Sequence, residues 1–583
     1  MPEPSLLQRL KERKLVQWAV AYSAGAFVVF QAVEVMAEPW GISPALQRAV
    51  HILLVIGLFV TIVLAWYHGE RGRQRVSGPE LLMVAALLVV AGATLTLVRP
   101  RDEGLSRIAL EGDDRPGIAV FPCENWSPEP EDAYFASGIH DEILLHLQRI
   151  SGLRSIGRES MEWYKANPSP VRQIAQELSV GFFGECSVLK DVERNQIRLT
   201  FQLLDGNTGA QIWAERYDED LSARSIFDIH TDVARRVARE VGAVITPEED
   251  ARLAADPTTN TEAHEEYLKG RFHWSTRTAQ GLETAIGHFQ RAIGLDPTFA
   301  LAYSGLADCY TLLNYFSGDV NPTEMFRRGE EAAQEAIRLA PDLAAAHASL
   351  GYLRLLSRRD WTGAEQSLRH AIFLDPTYPP AHQWLADLLA DSGRFEESYR
   401  EGQRAIELDP LSFSPNYSQA ARLTTSRNFG AAITQYERTI ELYPQYFLGW
   451  AGLANALLAM GDIEGAVRNM ARSDELFGID PILSETHLQM AADFHRTGNP
   501  GRLLPAYDTV SGFLPDWRAS SAMWVGDTAK ALEWLERAAA ENWPDLLGLR
   551  SYFLWDPLRE HPRFQALVED YFGVRETSLS REP

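Results

Sequence analysis

Ala371-Ile-Phe-Leu-Asp-Pro376, Ala405-Ile-Glu-Leu-Asp-Pro410 and Thr439-Ile-Glu-Leu-Tyr-Pro444 are three hexapeptides set 34 residues apart, and their reading decides the fold. The same step links Ala386, Ala420 and Ala454, and it carries Thr439 on to Ser473. A 34-residue period with small residues at fixed places and a Pro closing each unit is the mark of stacked helix pairs. Pro cannot continue a helix, so it stands where one pair stops and the next begins. Small residues are needed where the two helices of a pair approach closely, and large apolar residues fill the groove between successive pairs. No single unit can bury its apolar face alone. The array is therefore one elongated core with a long concave surface, and such surfaces bind peptides or other proteins.

The pattern resembles the tetratricopeptide repeat (TPR) family. Trp450, Leu453, Ala454, Ala466, Met470 and Ser473 fill the six characteristic places of one unit. Working outward, units start near Ala263, Ala300, Ala344, Pro379, Phe413 and Phe447, the second being lengthened around Phe316 to Pro322. The array is expected over 263–510, with a degenerate helical end repeat and tail over 511–583, because terminal repeats need a polar outer face.

Charge narrows the partners. The 583 residues contain 55 Lys plus Arg and 79 Asp plus Glu, a net charge of −24, which argues against a nucleic-acid partner. Residues 1–98 hold 8 basic and 6 acidic side chains, leaving 47 and 73 for the remainder. The three cysteines, Cys123, Cys186 and Cys309, are too few for a disulfide framework or a zinc site. They read as buried thiols, with a Cys123–Cys186 bond the alternative in an oxidising compartment.

Residues 1–98 contain three apolar runs, about 16–36, 49–67 and 81–98. Each is close to the ~20 residues that a bilayer-spanning helix needs, and three transmembrane helices are expected. Arg9, Lys11, Arg13 and Lys14 before the first run, and Arg71, Arg73 and Arg75 between the second and third, place those flanks and the amino terminus in the cytoplasm. The expected location is thus a bacterial inner membrane, multi-pass, with the remaining domains in the periplasm. Gln31 and Glu34 are candidate intramembrane polar contacts, interfacial snorkelling being the plainer reading.

After a polar linker (99–116), residues 117–246 alternate strands and helices. Strands are expected at 117–121, 153–156, 182–189, 196–204 and 211–217, and helices at 131–150, 171–180 and 225–244. That order suits a small α/β domain with a mixed sheet. A second linker, 247–262, precedes the array. Gly117-Ile-Ala-Val-Phe-Pro122, Tyr134-Phe-Ala-Ser-Gly138, Leu153-Arg-Ser-Ile-Gly-Arg158 and Gln211-Ile-Trp-Ala-Glu-Arg-Tyr217 are, as an ordered set, similar to the amino-terminal domain of the Tol-system protein TolB. Relatives carry a nucleotide cyclase or winged-helix domain at the amino terminus, and the run Ala65 to Pro79 resembles their membrane-anchored subgroup. The resemblance implies an envelope-facing interaction module without chemistry of its own.

Catalytic patterns are absent from the sequence: no GxxxxGK[ST], GxGxxG after a strand, HExxH, GxSxG or Cys/His metal spacing occurs. No catalytic residue, metal ligand or cofactor is therefore assigned. Ser187-Val-Leu-Lys190 matches SxxK without its partner motifs and reads as a surface Lys beside a strand Ser. His140-Asp-Glu142 reads as one solvated helix face, and Asp218-Glu-Asp220 as a charged turn. Trp274, Tyr303, Trp384 and Trp450 fall at core places of the repeats, whereas Trp361 and Trp543 are candidate partner-binding residues. The sequence thus points to a multidomain chain of three transmembrane helices, a small α/β domain and an all-α TPR superhelix. Its expected role is a non-enzymatic, membrane-embedded scaffold for proteins or peptides. The alternative is a transmembrane signalling or sensor protein related to the regulatory parts of cyclase or winged-helix regulators.

Overall fold

The computed structural model describes residues 115–316, 320–358, 360–510 and 513–572. The chain divides into two compact units, Met1–Ser106 and Arg107–Pro583, and everything described belongs to the second. No helix among the described residues is long and apolar enough to cross a membrane. The expected fold with three transmembrane helices, and the multi-pass inner-membrane location drawn from it, are corrected on that finding. The physical reason is visible in the longest helices, such as Ala223–Val241, where charged residues interrupt every turn on one face. The runs 16–36, 49–67 and 81–98, with Gln31 and Glu34, lie outside the described residues. What is described is a mostly helical, TPR-like superhelix with a small mixed sheet.

The sheet contains β1 (Gly117–Val120), β2 (Glu124–Asn125), β3 (Arg154–Ser155), β4 (Phe182–Asp191), β5 (Gln196–Asp205) and β6 (Gln211–Asp220). Its order is β3-β1-β4-β5-β6, with β2 also pairing β4. β3, β1 and β4 run parallel, and β4, β5 and β6 form an antiparallel meander. Helices α1 (Ala133–Gln148) and α4 (Ala223–Val241) pack on one face, over Val188, Leu199, Phe201 and Leu203. Helices α2 (Arg158–Ala166) and α3 (Val171–Leu178) occupy the β3–β4 crossover, and α5 (Pro247–Leu253) follows α4. Both α2 and α5 lie where the sequence reading placed no helix. α5 opens on a capping box of Thr246 and Glu249, a signal the Pro at its first turn obscured.

Antiparallel helix pairs follow: α6/α7 (Thr261–Trp274, Ala279–Leu295), α8/α9 (Ala300–Phe316, Pro322–Leu339), α10/α11 (Ala344–Arg358, Trp361–Leu374), α12/α13 (Pro379–Asp391, Phe395–Leu408), α14/α15 (Phe413–Thr425, Phe429–Leu442) and α16/α17 (Phe447–Ala459, Ile463–Phe477). α18 (Pro481–Thr497), α19 (Pro515–Trp524), α20 (Thr528–Ala540) and α21 (Pro562–Phe572) complete the chain, with short 3-10 turns at Pro505–Thr509, Pro544–Arg550 and Phe553–Leu558. The small residues of the period have a direct cause. A Cβ at Gly270 of α6 or at Gly305 of α8 would sit 2.6 Å from the ring of Phe289 in α7, so one buried phenyl is clamped between a pair and its successor. Gly452 of α16 does the same for Tyr436 of α15, at 2.2 Å.

Cys123 and Cys186 form a disulfide between the residues after β1 and strand β4, while Cys309 is a buried free thiol. The bond closes a loop of 63 residues, which in the chain-entropy model stabilises the fold by about 4 kcal/mol. Urea unfolding of the chain with and without reductant, alongside a Cys123→Ser/Cys186→Ser double variant, is expected to show a loss of that order in the sheet. Gly305→Val is expected to cost about 1–3 kcal/mol by overpacking Phe289, read as a lower thermal midpoint of the helical signal.

Candidate interaction surface

The inner surface of the array is defined by what meets there. Glu159 of α2 accepts a hydrogen bond from Ser412 Oγ at 2.6 Å and lies 3.8 Å from the guanidinium of Arg277. Arg277 ends the first helix pair's turn, and Ser412 precedes α14. Residues three pair boundaries apart reach one carboxylate only if the array curves around it. α2 therefore sits inside the curve.

Its attachment rests on the Asp-Pro turns of the repeat. At Asp296-Pro-Thr298 and Asp375-Pro-Thr377 the carboxylate accepts its own turn's Thr backbone N–H (2.9 and 2.8 Å) and hydroxyl (2.6 and 2.8 Å). This is a local Asx turn. At Asp409-Pro-Leu411 the Thr is replaced by Leu, which has no hydroxyl to offer. The Asp409 carboxylate turns instead to the amino terminus of α2, accepting from Ser160 N–H at 2.9 Å, Glu159 N–H at 3.3 Å and the Ser160 hydroxyl. Helix amino termini expose unsatisfied N–H groups and favour an acceptor there. Gly157, at the N-cap position, has no side chain for the purpose, and a Cβ there would lie 2.4 Å from the Asp409 carboxyl. The cap thus comes from a residue 249 positions away in sequence. Leu411 N–H donates to Ser160 Oγ (2.9 Å) and Gly157 N–H to Leu408 C=O (2.8 Å), completing the clasp. Burial and the nearby Glu159 push the Asp409 carboxyl up to about 7.

A second contact joins α1 to α6. Glu142 accepts from His264 Nε2 at 2.7 Å and lies 3.4 Å from His230 Nδ1, all three side chains being buried. Burial, with Arg149 nearby, holds His146 down to about 3, and burial also keeps His230 neutral. Lys190 is buried as well, donating to Tyr134 (2.8 Å), Glu265 (3.1 Å) and Asp132 (3.3 Å). These findings correct two readings: Lys190 is no surface lysine, and His140 and Glu142 do not lie on a solvated face. The polar residues of α1 face inward because a second layer, α6, covers them. Asp141 pairs with Arg158 at 2.6 Å, and Asp218 pairs with Arg198 and Arg216 along the sheet.

Trp361 starts α11 and stacks on Phe572, with ring centroids 5.9 Å apart. It borders a surface cavity of about 360 Å³ together with Glu365, Arg369, Leu388 and Ser392. Trp543 is 3% exposed, and its Nε1 donates to Glu541. The two tryptophans are thus placed apart, one at an opening and one under cover. Trp274 is sandwiched between the guanidinium groups of Arg271 (4.2 Å) and Arg277 (3.9 Å) beside α2. Among the described residues, no cluster of three or more His, Cys, Asp or Glu is arranged to hold a metal ion.

No family model matches the chain. It is 33% identical over 193 residues to "Putative adenylate cyclase 3" of Rhizobium meliloti (strain 1021), covering 33% of this chain and 32% of that protein. It is 26% identical over 192 residues to the tetratricopeptide repeat-containing protein trd-1 of Caenorhabditis elegans, covering 33% and 23%. The chain thus spans about a third of the first curated relative and under a quarter of the second. Among solved structures it is similar to YrrB, a TPR protein with an unusual peptide-binding site (15% identity, TM-score 0.25, 34% of this chain and 97% of that one). It is also similar to the type IV pilus biogenesis factor PilW (16%, TM-score 0.32, 38% and 97%). Nothing about ligands follows from matches at these scores.

Asp409→Ala is expected to cost about 1–3 kcal/mol, because buried N–H groups lose their acceptor, and to expose α2 to limited proteolysis. The pH response has a defined sign. An acid whose folded pKa of about 7 lies above its ordinary value of 3.8 stabilises the fold fully below that ordinary value, and the contribution is lost as pH rises to about 7. Asp409→Asn should remove this dependence. The thermal midpoint of the wild type is expected to fall relative to the variant between pH 4 and pH 8.

Proposed function

We propose that the chain is a non-enzymatic scaffold that binds a protein or peptide on the outer surfaces of its TPR array. The observation that carries the reading is α2. A free TPR groove invites a peptide, but here a helix of the same chain is capped and clasped within the curve. Partner binding then moves to surfaces left open. The cavity beside Trp361 is one, and α11 and the neighbouring α13 carry Phe373, 78% exposed, and Tyr399, 51% exposed. Large apolar side chains at such exposure are costly to leave in water and suit an interface core. Trp543, being covered, serves in this reading by supporting the array's end.

The resemblance of residues 117–246 to the TolB amino-terminal domain supports an interaction role for the sheet region as well. The cyclase name belongs to a relative of which only 32% is matched, and it does not favour a signalling enzyme.

Affinity isolation with the full chain tests the reading, compared with Trp361→Ala and Phe373→Asp variants and with heat-denatured chain. A partner retained by the wild type and at least tenfold depleted with either variant is the expected outcome; a loss of ~1.4 kcal/mol in binding has that effect. Equal recovery on denatured chain removes the basis of the proposal. Formation of cyclic nucleotide from ATP by purified chain, above a boiled control, would overturn its non-enzymatic part.

A further inference from the structure

We propose that the outer edge of β6 is a docking strand for an extended basic segment of another protein, which adds to the sheet as one more strand. β6 runs for 10 residues, whereas strands average about 5–6. It is the last strand in the sheet order and pairs with β5 along its whole length, from Gln196↔Asp220 to Leu204↔Gln211. Apart from Ser222 N–H, which donates to Asp220 C=O at 2.8 Å, no hydrogen bond joins its outer edge to any other described residue. A long, uncovered edge offers a row of N–H and C=O groups, and proteins ordinarily blunt it with Pro, a bulge, shortness, charged side chains or a covering loop; of these β6 carries the charges, which repel a like-charged strand and attract a basic one. Gln211–Asp220 contains no Pro, and its one irregularity falls at the first residues. Main-chain pairing of this kind takes affinity from the backbone and specificity from alternate side chains.

Charge selects the occupant. The strand carries Glu215, Asp218, Glu219 and Asp220 against Arg216. On the face away from α4, Asp218 is engaged by Arg198 (2.5 Å) and Arg216 (2.9 Å). On the α4 face, Tyr217 donates to Asp232 (2.7 Å), which Arg236 approaches at 3.8 Å. Glu219 and Asp220 have no ion pair to any described residue and meet the incoming chain. Ile212 at the other end is 39% exposed. A fitting strand therefore has Lys or Arg opposite Glu219 and, on the opposite face, a β-branched residue opposite Ile212. A second copy of this chain would set one net-acidic edge against another, within molecules that each carry −24. A basic segment meets attraction instead.

The inference deepens the scaffold reading and rests on it, yet its site is separate from the array: Trp361→Ala should leave it unchanged. The probe is a fluorescein-labelled octapeptide of four Lys-Val repeats, titrated against the full chain by anisotropy. Two versions carry backbone N-methyl groups on alternate residues, one in each register, and a third replaces Lys by Glu. Saturable binding is expected, with tenfold or greater weakening on N-methylation in one register and on replacement of Lys by Glu. Amide exchange should slow along β6 when the peptide is bound. Glu219→Lys/Asp220→Lys should transfer the preference to the Glu-Val peptide. Equal binding of both N-methylated versions would reduce the contact to diffuse electrostatics and overturn the proposal. So would absence of saturation up to about 1 mM, a Kd that corresponds to a very weak encounter. Protection of β6 without peptide, together with a dimer by sedimentation, would assign the edge to a second copy and overturn it as well.

Discussion

The structure depends on a carboxylate that leaves its own turn. In two Asp-Pro turns of the array the Asp closes the local loop through a Thr two residues later. In the third it caps α2 of the sheet region, and the change of one side chain, Thr to Leu at 411, frees it to do so. A helix of nine residues with a Gly at its N-cap has little stability alone. Capped by Asp409 and clasped by Leu408, Leu411 and Ser412, it becomes the point around which the array curves. The position of the sheet region against the helices follows from this point and from the Glu142–His264 contact.

The clasp is polar where a core would be apolar. Glu142, His146, His230, Lys190, Arg158 and Asp409 lie at or near the junction of the sheet region with the array. Buried polar groups cost stability unless paired, and pairing fixes geometry more strictly than apolar packing does. The junction therefore combines apolar packing, as where Gly138 of α1 lies against Leu268 of α6, with paired polar groups that fix its geometry. Its protonation states pull in opposite directions. Neutral His146 and His230 favour the folded state above their ordinary range, and the raised Asp409 favours it below neutrality.

Periodic features were legible in the sequence. The 34-residue step located the helix pairs from Pro379 to Phe477, motif residues located those from Ala263, and alternation located β5 and β6 within a few residues. What escaped the reading was non-local. Nothing in Arg158–Ala166 advertises a helix, because its cap residue is Asp409 and its buried side belongs to another layer. Lys190 and His140-Asp-Glu142 looked solvated for the same reason: a helix periodicity shows one strip facing its own core and says nothing of a second layer such as α6. One signal was available. Asp409 stands in a period where its counterpart Asp375 has Thr two residues on, and a lone Leu at that place marks an Asp without its usual duty. The three apolar runs read well as spans by length and hydropathy, yet no helix among the described residues is long and apolar enough to cross a membrane.

The clasp also bears on how such a chain can vary. Tandem arrays ordinarily gain or lose whole units by duplication and deletion, since each unit touches only its neighbours. Here Arg277 and Ser412 converge on Glu159, so the number of helix pairs between them sets where Asp409 meets α2. One unit more or fewer would rotate the capping carboxylate away from its helix. The ruler is internal, and it fixes the length of this stretch of the array; beyond Phe413 the stack of Phe572 on Trp361 and the Arg427–Asp556 pair set a second one.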